Sequence, residues 1–325
     1  MSQQRVLMTS VGSYLPKKIV TNDDLAQWVD TSDEWIKQRT GIAQRHMVAD
    51  DELTSDLAYH AAQDALSHAS LSGSDVDVIV VATTTPDDTF PSTATKVQHR
   101  LGATNAFAFD VQAVCAGFVY ALTVAESLLI AKKAKRALVI GAESFTKLLD
   151  WQDRSTCVLF GDGAGAVILE SEDAPDHYVI LASALHSDGA YRDILYVDGG
   201  PSATGDVGHV RMSGQDVFRH AVDKLSTVMQ EVLDQAGVRA EEVDWLVPHQ
   251  ANIRIINGMQ RKFGLPAERV VRTVDKHANT SAASIPLALS EAVHDGKIKS
   301  GDLLALEAIG GGLAWGGSLV RYGRP

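Results

Sequence analysis

The chain has 325 residues, and 41 Asp and Glu against 29 Lys and Arg give it a formal net charge of −12 at pH 7. A field of this sign repels phosphates, so it argues against general binding to nucleic acid or to an anionic membrane, and an acidic partner would need a local basic patch. Hydrophobic residues make up 45% and charged residues 22%, which argues against disorder and allows one large α/β domain or two ordinary ones.

The N-terminus and the cysteine count restrict the compartment and the kinds of site. Residues 1–12 lack the apolar core of a signal peptide, and the most apolar stretch, residues 76–82, has the length of a strand. Cys115 and Cys157 are too few for a disulfide framework or a cysteine-ligated zinc site. We therefore expect a cytoplasmic protein in a reducing compartment, with no membrane-spanning segment and no metal.

Predicted strands and helices alternate through the first part of the chain. In chain order we expect strand 6–11, short helices 21–29 and 31–41, helix 54–69, strand 76–82, helix 92–101, strand 106–111, helix 115–132 and strand 136–141. Residues 76–82 form a nearly continuous β-branched run, which is typical of a strand buried on both faces. The order predicts an α/β fold with a parallel sheet.

A glycine-rich turn begins at Phe160 and leads into a strand that reaches Leu169. A phosphate-binding loop would lead into a helix and contain Gly-Lys-Ser/Thr, so we disfavour nucleotide hydrolysis. The polar residues 171–177 form the best candidate hinge. We therefore expect two halves, residues 1–172 and residues 173–325.

The second half repeats the pattern of the first. Residues 77–80 match residues 244–247 at an offset of 167, and the apolar pattern after Ala121 matches that after Ala288 at the same offset. The end of one predicted helix, residues 98–102, matches residues 260–264 at an offset of 162 instead. This requires five extra residues in each half, on opposite sides of that helix. An internal duplication predicts that loops at the strand ends of both halves face one crevice, where ligands of α/β sheets usually bind.

Cys115 stands at or near the start of a predicted helix. Unpaired backbone N–H groups and the positive end of the helix dipole gather there, which favours a thiolate nucleophile. The alternative is a small buried hydrophobic residue, which is what most free cysteines are. This segment alone leaves both interpretations open.

The repeat offset of 167 predicts that two further side chains lie near Cys115. His249 follows the predicted strand of residues 245–247, and Asn279 precedes a helix in the stretch equivalent to that around Cys115. Each has an ordinary alternative, since most histidines are structural or on the surface and an Asn before Thr-Ser commonly caps a helix. Together they form a Cys, His and Asn set, with the nucleophile in the first half and the other two residues in the second.

Several motifs of the chain occur together in one enzyme family. They are Asp110…Cys115-Ala-Gly-Phe118, Phe160-Gly-Asp-Gly-Ala-Gly165, Trp245-Leu-Val-Pro-His-Gln-Ala-Asn252, Asn279-Thr-Ser-Ala-Ala-Ser284 and Gly310-Gly-Gly312…Trp315-Gly316. From Val6 to Arg321 the chain resembles β-ketoacyl-acyl-carrier-protein synthase III, the priming condensing enzyme of bacterial fatty acid synthesis. The resemblance implies an α/β thiolase fold, with two duplicated halves in five α-β-α-β-α layers and usually a homodimer.

The resemblance also implies roles for the central residues. Cys115 would accept an acyl group from an acyl-CoA, and malonyl-acyl carrier protein would then lose CO₂ and attack the acyl-cysteine. His249 and Asn279 would donate hydrogen bonds to the thioester oxygen of the malonyl group, and the backbone N–H groups of Cys115 and Gly311 would form the oxyanion hole. No cofactor is expected, because acyl-CoA is a substrate.

An outer site for CoA is implied by matching positions. Trp35 and Arg154 match a pair that sandwiches the adenine, where a core aromatic and a surface cation would otherwise be the ordinary interpretation. Arg39 and Asn252 match positions near the CoA phosphates and pantetheine.

The acyl pocket is implied at Phe90, Phe160 and Ile309, where Phe90 matches a residue that reaches into the pocket of the partner subunit.

A basic stretch, residues 252–272, stands out in this acidic chain. Arg254 and Arg261 are seven residues apart and so lie on one face of a helix, and Lys262 follows them. A solvated helix face is the ordinary explanation. The resemblance places the docking site of the acidic carrier protein there.

Two departures from the family pattern concern the substrate. Ala278 precedes the asparagine where many members have Gly, and Ile309 stands where an aromatic residue is often found. Acetyl-CoA is therefore the default starter, and a related synthase with a non-acetyl starter or a role in secondary metabolism is the alternative.

Other members of the superfamily, and a protein without activity, are disfavoured. A thiolase needs a second cysteine in the C-terminal glycine-rich loop, and an elongating synthase uses two histidines where this chain has His249 and Asn279. A non-catalytic paralogue that binds carrier protein is disfavoured because all three reactive residues are present.

Overall fold

The computed structural model describes residues 5–172 and 179–324. The strands are β1 Arg5–Tyr14, β2 Lys18–Thr21, β3 Gln44–Met47, β4 Val78–Ala82, β5 Phe107–Val111, β6 Arg136–Glu143, β7 Gly163–Glu172, β8 Ile180–Ser187, β9 Leu195–Val197, β10 Val210–Met212, β11 Trp245–Pro248, β12 Leu303–Gly310 and β13 Ala314–Arg321. The helices are α1 Asn22–Leu25, α2 Asp33–Thr40, α3 Thr54–His68, α4 Thr93–Arg100, α5 Gly117–Ile130, α6 Arg154–Cys157, α7 Gly214–Ala236, α8 Ile253–Phe263, α9 Val274–His277 and α10 Ser284–His294.

Two larger sheets have the same topology. The first has the order β1-β7-β6-β4-β5, and the second has the order β8-β13-β12-β11. In the first sheet, β4 pairs in parallel with β5 and with β6, and in the second sheet β11 pairs in parallel with β12. Strand β7 is antiparallel to both of its neighbours, β1 and β6, and β13 is likewise antiparallel to β8 and β12. The prediction of a parallel sheet is therefore confirmed for β4, β5 and β6 and wrong for the pairing of β7 with its two neighbours. A single parallel bridge from Leu246 to Val270 stands where the second sheet would have its counterpart of β5.

The two sheets and three helical layers are held together by three apolar cores. One core fills the space between the two sheets and contains α5 and α10. A second lies under α3 and α4 on the far side of the first sheet, and the third lies under α7 and α8 on the far side of the second sheet. Strand β4 illustrates the arrangement, because Val78 and Val80 face the central core whereas Ile79 and Val81 face the outer one.

The strand register confirms the duplication. Val80 of β4 lies opposite Val139 of β6, and Val247 of β11 lies opposite Leu306 of β12, so both pairs differ by the offset of 167 (247 − 80 and 306 − 139). Two short 3₁₀ turns, Val114–Ala116 and Ser281–Ala283, keep the same offset, and each runs directly into a helix, α5 or α10. Both turns begin with a residue in the left-handed region, Val114 at φ 50° and Ser281 at φ 49°.

The sequence placed most first-half elements within a few residues but missed others. The helix predicted at residues 21–29 ends at Leu25, and the helix predicted to start at Cys115 begins at Gly117 after a 3₁₀ turn. No element was predicted for the region that contains α7, the 23-residue helix that covers the second sheet. Its apolar side chains recur at helical spacing, as Ala221, Leu225, Val228, Val232 and others show.

The domain boundary at residue 172 stays a prediction. Strand β7 runs through Ser171, and residues 173–177 of the predicted hinge lie outside the described residues. Among the described helices, none is both long and apolar enough to cross a membrane.

Candidate active site

Cys115 occupies the middle of the first 3₁₀ turn, between β5 and α5. The left-handed backbone at Val114 turns the chain sharply, so the cysteine precedes the first residue of the helix. Strand β12 crosses behind this turn, and a Cβ atom on Gly310 would lie only 2.5 Å from the backbone nitrogen of Cys115. Glycine is therefore required at 310, because any side chain would push the nucleophile out of place.

Cys115 is buried, with 4% of the residue exposed, and this burial raises the pKa of its thiol to about 12. The nearby side chain of Ser281 and the backbone at the helix start act in the opposite direction, while the charge of Glu143 adds to the increase. The backbone at the helix start lowers the pKa of the thiol, as expected, but desolvation outweighs this effect in the free protein.

Asn279 is held between the two halves by backbone contacts. Its N–H donates to the carbonyl of Leu159 at 3.0 Å, and its own carbonyl accepts from the N–H of Gly161 at 3.0 Å. The side-chain Oδ1 accepts from the backbone N–H of Ser281 at 2.9 Å. Because the oxygen of the carboxamide is occupied, the Nδ2 group remains as the donor that Asn279 can offer to a ligand.

His249 follows β11 and is tied to β12, since its backbone N–H donates to the carbonyl of Glu307 at 2.8 Å. Burial lowers the pKa of its imidazole to about 3, so the ring is neutral at physiological pH and donates through only one nitrogen. Strand β12 thus contacts both loops, with Glu307 at His249 and Gly310 at Cys115. Among the described residues, no side-chain hydrogen bond joins His249 directly to Cys115 or Asn279.

Sequence reasoning missed two buried glutamates. Glu143 ends β6, and Glu307 lies in β12 on the face shared with Ala305 and Ile309. Burial raises the pKa of Glu143 to about 7 and that of Glu307 to about 8. Both carboxylate oxygens of Glu307 lack a hydrogen-bond partner within the part of the chain that the structure describes. The available signal was an acidic residue inside an otherwise apolar strand, where a charge is costly.

Three of the four predicted CoA residues, Trp35, Arg39 and Arg154, form one cluster at the surface. The guanidinium carbons of Arg39 and Arg154 lie 4.7 Å and 4.8 Å from the centroid of the Trp35 ring. Arg154 also donates to the backbone carbonyl of Asp30 at 2.7 Å. Asn252 also has a structural role, because its Oδ1 caps α8 by accepting hydrogen bonds from the backbone N–H groups of Arg254 and Ile255.

The three predicted pocket residues are not all together. Phe160 is buried, stacks on Phe145 with ring centroids 4.2 Å apart, and forms a backbone bridge with Asn279. Ile309 is buried on β12 opposite Trp315. Phe90 is 84% exposed, so it does not line a pocket of its own chain.

Comparison with known proteins decides the family. Residues 109–189 match the family model of 3-oxoacyl-[acyl-carrier-protein] synthase III, and residues 233–322 match the model of its C-terminal part. The chain is 61% identical to a β-ketoacyl-[acyl-carrier-protein] synthase III of Erythrobacter litoralis, over 98% of this chain and 99% of that one. The chain belongs to the β-ketoacyl-[acyl-carrier-protein] synthase III family. It is therefore a condensing enzyme of fatty acid synthesis, an acyltransferase, as the motifs predicted.

Solved structures of the family confirm the thiolase fold. The structure of 3-oxoacyl-[acyl-carrier-protein] synthase III from Aquifex aeolicus superposes with a TM-score of 0.93 at 47% identity, covering 98% of this chain and 100% of that one. The corresponding enzyme from Pseudomonas aeruginosa also superposes with a TM-score of 0.93, at 43% identity, covering 98% of this chain and 99% of that one. A priming β-ketosynthase of the R1128 polyketide pathway gives 0.93 at 33% identity, covering 100% of this chain and 98% of that one.

The basic side chains of the enzyme lie on an exposed helix face. Arg254, Arg261 and Lys262 of α8 are all exposed, and the first also donates to the carbonyl of Gln38 at 3.4 Å. A shallow groove runs between α7 and α8 beside them. It is lined by Phe218, Arg219, Val222, Gly258, Arg261 and Lys262.

One group of side chains has the composition of a metal site but lies elsewhere. Potential ligand atoms of Asp64, His68 and His294 are within 4.8 Å of one another. Ligand atoms around a tetrahedral zinc ion lie only ~3.3 Å apart. His294 ends α10, whereas the turn with Ser281 precedes the first residue of that helix, so the length of α10, ~15 Å, lies between His294 and the turn. We assign it no part in the chemistry.

Proposed function

We propose that the enzyme catalyses the priming condensation of fatty acid synthesis in two half-reactions at Cys115. An acyl-CoA, by default acetyl-CoA, transfers its acyl group to the cysteine, and malonyl-acyl carrier protein then condenses with it to give 3-oxoacyl-acyl carrier protein, CO₂ and CoA. The observation that carries this proposal is that the turn Ser281–Ala283 packs against the turn that contains Cys115, while the backbone N–H of Ser281 orients the side chain of Asn279.

The first half-reaction is an acyl transfer between two sulfur atoms. The Cys115 thiolate attacks the thioester carbonyl, a tetrahedral oxyanion forms, and the C–S bond to CoA breaks as CoA leaves with its electron pair. The backbone N–H groups of Cys115 and Gly311 would hold the oxyanion. The absence of a side chain at 311 supports this, because a Cβ atom there would lie 2.8 Å from the carbonyl oxygen of Leu195.

The second half-reaction breaks one C–C bond and forms another. CO₂ leaves the malonyl thioester, its bonding electrons form an enolate, and the enolate carbon attacks the acyl-cysteine so that Cys115 leaves as thiolate. Nδ2 of Asn279 and the neutral imidazole of His249 would donate to the enolate oxygen, which lowers the barrier to decarboxylation. With these donors in place, the reaction that we propose uses neither a cofactor nor a metal.

Binding of CoA would require a rearrangement at Trp35. An adenine stacked on both faces needs ~7 Å between the ring and the guanidinium, since each stacking contact takes about 3.5 Å. Arg154 now lies 4.8 Å from the ring centroid and so occupies part of that space. We expect Arg154 to swing away from Trp35 as CoA enters, with Arg39 and the free amide of Asn252 contacting the phosphates and pantetheine.

The exposed face of α8 would bind the carrier protein. Arg254, Arg261 and Lys262 provide local positive charge on a chain whose net charge is −12, and this charge complements an acidic partner. The neighbouring groove offers the apolar side chains of Phe218 and Val222. Charge would therefore guide the encounter, and the groove would add apolar contact.

A homodimer would explain the exposed phenylalanines. Phe90 is 84% exposed, and Phe107 is 43% exposed on β5, the edge strand of the first sheet. An open edge strand with exposed aromatic side chains is a surface that proteins usually cover. In the proposed dimer Phe90 reaches the acyl pocket of the partner subunit, and light scattering of the purified enzyme would measure the mass of the assembly.

A second candidate function is condensation with a different starter unit. Ile309 is smaller than an aromatic residue, so the pocket beside Phe160 would admit a longer or branched acyl group. The fold is shared by a polyketide priming synthase, which keeps a role in secondary metabolism as the alternative. Competition among acyl-CoA substrates of increasing length would separate the two.

The experiment that tests the function follows a labelled acyl group through both half-reactions. Incubation with radiolabelled acetyl-CoA should label the wild type but not Cys115→Ser, and subsequent addition of malonyl-carrier protein should move the label into a 3-oxoacyl product. Absence of both the label and the product would contradict the proposed function.

A further inference from the structure

Three side chains of the kind that bind metal ions meet where helices α3 and α10 end. Asp64 and His68 are one turn apart on α3, and His294 is the last residue of α10. One ligand atom from each side chain lies within 4.8 Å of the other two, and the centroids of the two imidazole rings are 4.3 Å apart. Among the described residues, no other three His, Cys, Asp or Glu side chains are grouped so closely. The group therefore has the composition of a site for one metal ion.

The two helices lie on opposite faces of the first sheet. Helix α3 packs in the outer core and α10 in the central core, and both contact β1, the terminal strand of that sheet. Glycine at position 12 lets α3 approach β1 closely, since a Cβ atom there would lie 2.1 Å from the backbone nitrogen of Ala65. Because Ala65 directly follows Asp64, this packing fixes the position of the carboxylate relative to β1.

Ser13 of β1 connects two of the three side chains through hydrogen bonds. Its backbone N–H donates to Oδ2 of Asp64 at 2.9 Å, and its Oγ accepts from the hydroxyl of Ser290 at 3.0 Å. Oγ of Ser290, which is completely buried, lies 3.3 Å from Nδ1 of His294. A serine hydroxyl has one proton, and here it goes to Ser13, so the proton between Ser290 and His294 belongs to Nδ1 of the imidazole. The ring then has its lone pair on Nε2.

These hydrogen bonds leave the other oxygen of Asp64 and Nε2 of His294 available for a ligand. Oδ1 of Asp64 lies 3.6 Å from Nδ1 of His68, close to the ~3.3 Å that separates two ligand atoms of a tetrahedral zinc ion. A histidine that binds a metal almost always donates its second ring N–H to an acceptor, which fixes its tautomer. Ser290 is that acceptor for His294, so the outer partners of a metal site are already in place.

We propose that Asp64, His68 and His294 bind one Zn²⁺ or a chemically similar divalent ion, which joins the ends of α3 and α10 across β1. Imidazole nitrogen with carboxylate oxygen suits zinc and nickel, whereas Mg²⁺ prefers oxygen ligands alone. Both histidines are exposed, so rotation of their side chains can shorten the 4.8 Å spacing to the ~3.3 Å of a zinc site. The negative net charge of the chain favours cation binding.

The proposed site is structural and does not depend on the proposed function. The cysteine count that argued against a zinc site does not bear on a site made of His and Asp. The ligands come from residues 64–68 and from residue 294, so they lie together only in the folded chain. An ion that binds the folded state in preference to the unfolded state stabilises it. Zn²⁺ should therefore raise the midpoint of thermal unfolding.

The test titrates Zn²⁺ into the full-length enzyme at pH 8, where imidazole is ordinarily neutral, in competition with a chelating dye. Ni²⁺ and Mg²⁺ are titrated in parallel. The wild type should bind one Zn²⁺ per chain tightly, bind Ni²⁺ at the same site and show no saturable binding of Mg²⁺. His68→Ala and His294→Ala should each weaken Zn²⁺ binding about a hundred-fold and abolish the rise in the unfolding midpoint. Ser290→Ala should weaken it about ten-fold, as loss of an outer partner does.

The matched control is His99→Ala. His99 is also an exposed histidine in the last turn of a helix, α4, but it belongs to no group of three ligands among the described residues. Its Zn²⁺ affinity and its Zn²⁺-dependent unfolding should match those of the wild type.

Three results would overturn the inference. They are the absence of saturable Zn²⁺ binding in the wild type, equal Zn²⁺ affinity in the wild type and the two ligand variants, and binding of Mg²⁺ as tight as that of Zn²⁺. Unchanged affinity in Ser290→Ala would overturn the assignment of Nε2 as the ligand atom of His294. Thermal unfolding without metal verifies that each variant folds, and either histidine variant decides alone if the other does not fold.

Discussion

The turns at Cys115 and at Ser281 are the same backbone structure used twice. Each begins with a left-handed residue, forms three residues of 3₁₀ helix and enters a helix of the central layer. At the middle position the first turn has Cys115 and the second has Ala282, whereas at the first position the hydroxyl of Ser281 replaces the apolar Val114. The two halves thus share the backbone conformation of the turn, and single side-chain differences give each turn its own chemical role.

The ends of the equivalent strands differ in the same way. Glu143 ends β6, and the residue at the offset of 167 is Gly310, which ends β12 and lets that strand approach Cys115. The first half therefore contributes the nucleophile and a buried carboxyl group, and the second half contributes neutral donors and a close backbone. If this division is right, variants in the two halves should impair different half-reactions.

The largest effect is expected at Asn279. Asn279→Ala removes the Nδ2 donor that we place on the enolate, so condensation with malonyl-carrier protein should slow about 10²- to 10³-fold. Transfer from acetyl-CoA to Cys115 should stay within a few-fold of wild type, because that step uses the backbone oxyanion hole. Rapid-quench measurement of each half-reaction would check this, and equal losses in both would break the division between the halves.

Burial of Glu307 should make the stability of the fold depend on pH. Glu307 has a pKa of about 8 in the folded protein against 4.5 when unfolded, so between these values the folded state holds a proton that the unfolded chain releases. The free energy of unfolding of the wild type should therefore fall as pH rises. Relative to Glu307→Gln the fall should be about 3 kcal/mol from pH 5 to pH 7, at about 1.36 kcal/mol per pH unit.

Urea unfolding of both proteins at the two pH values measures that difference directly. The surface variant Glu268→Gln should follow the wild type, since Glu268 is exposed on a 3₁₀ turn. A pH-independent difference between Glu307→Gln and the wild type would mean that the carboxyl group is not held neutral in the folded enzyme.

Charge reversal on α8 should affect only the step that uses the carrier protein. Arg254→Glu should lower the rate of condensation with malonyl-carrier protein about ten-fold at low salt, because it reverses local steering. Acyl transfer from CoA should be spared. Arg239→Glu provides the control, since this exposed side chain precedes the 3₁₀ turn after α7 and pairs with Glu242. Equal loss in both half-reactions of Arg254→Glu would count against the docking surface.

The smallest expected effect concerns the CoA cluster. Trp35→Ala should remove a stacking contact of about 1–3 kcal/mol and so raise KM for acetyl-CoA about ten-fold with little change in kcat. Trp28→Ala is the matched control, because Trp28 is exposed and packs edge-on against Trp151 at 5.6 Å. Unchanged KM in Trp35→Ala would remove this cluster from the proposed CoA site.

The sequence was sufficient to predict the duplicated strands and the residues that lie in family motifs. The offset of 167 located the strands next to the crevice, and the motifs named Cys115, His249 and Asn279. It did not predict the pKa of Cys115, because the depth of burial depends on the packing of both halves and not on the helix start. Glu143 was missed for a related reason, since its threonine and serine partners lie far away in the chain and only the fold brings them together.

The most direct test of the division between the halves is a chase of acetyl-Cys115, followed by mass spectrometry of the peptide that contains it. After acetyl-CoA alone, the acetyl group should be present on Cys115 in both the wild type and Asn279→Ala. After malonyl-carrier protein is added, it should disappear rapidly from the wild type and persist on Asn279→Ala. Clearance from the variant at the wild-type rate, or absence of the acetyl group from Cys115 in the wild type, would contradict the account.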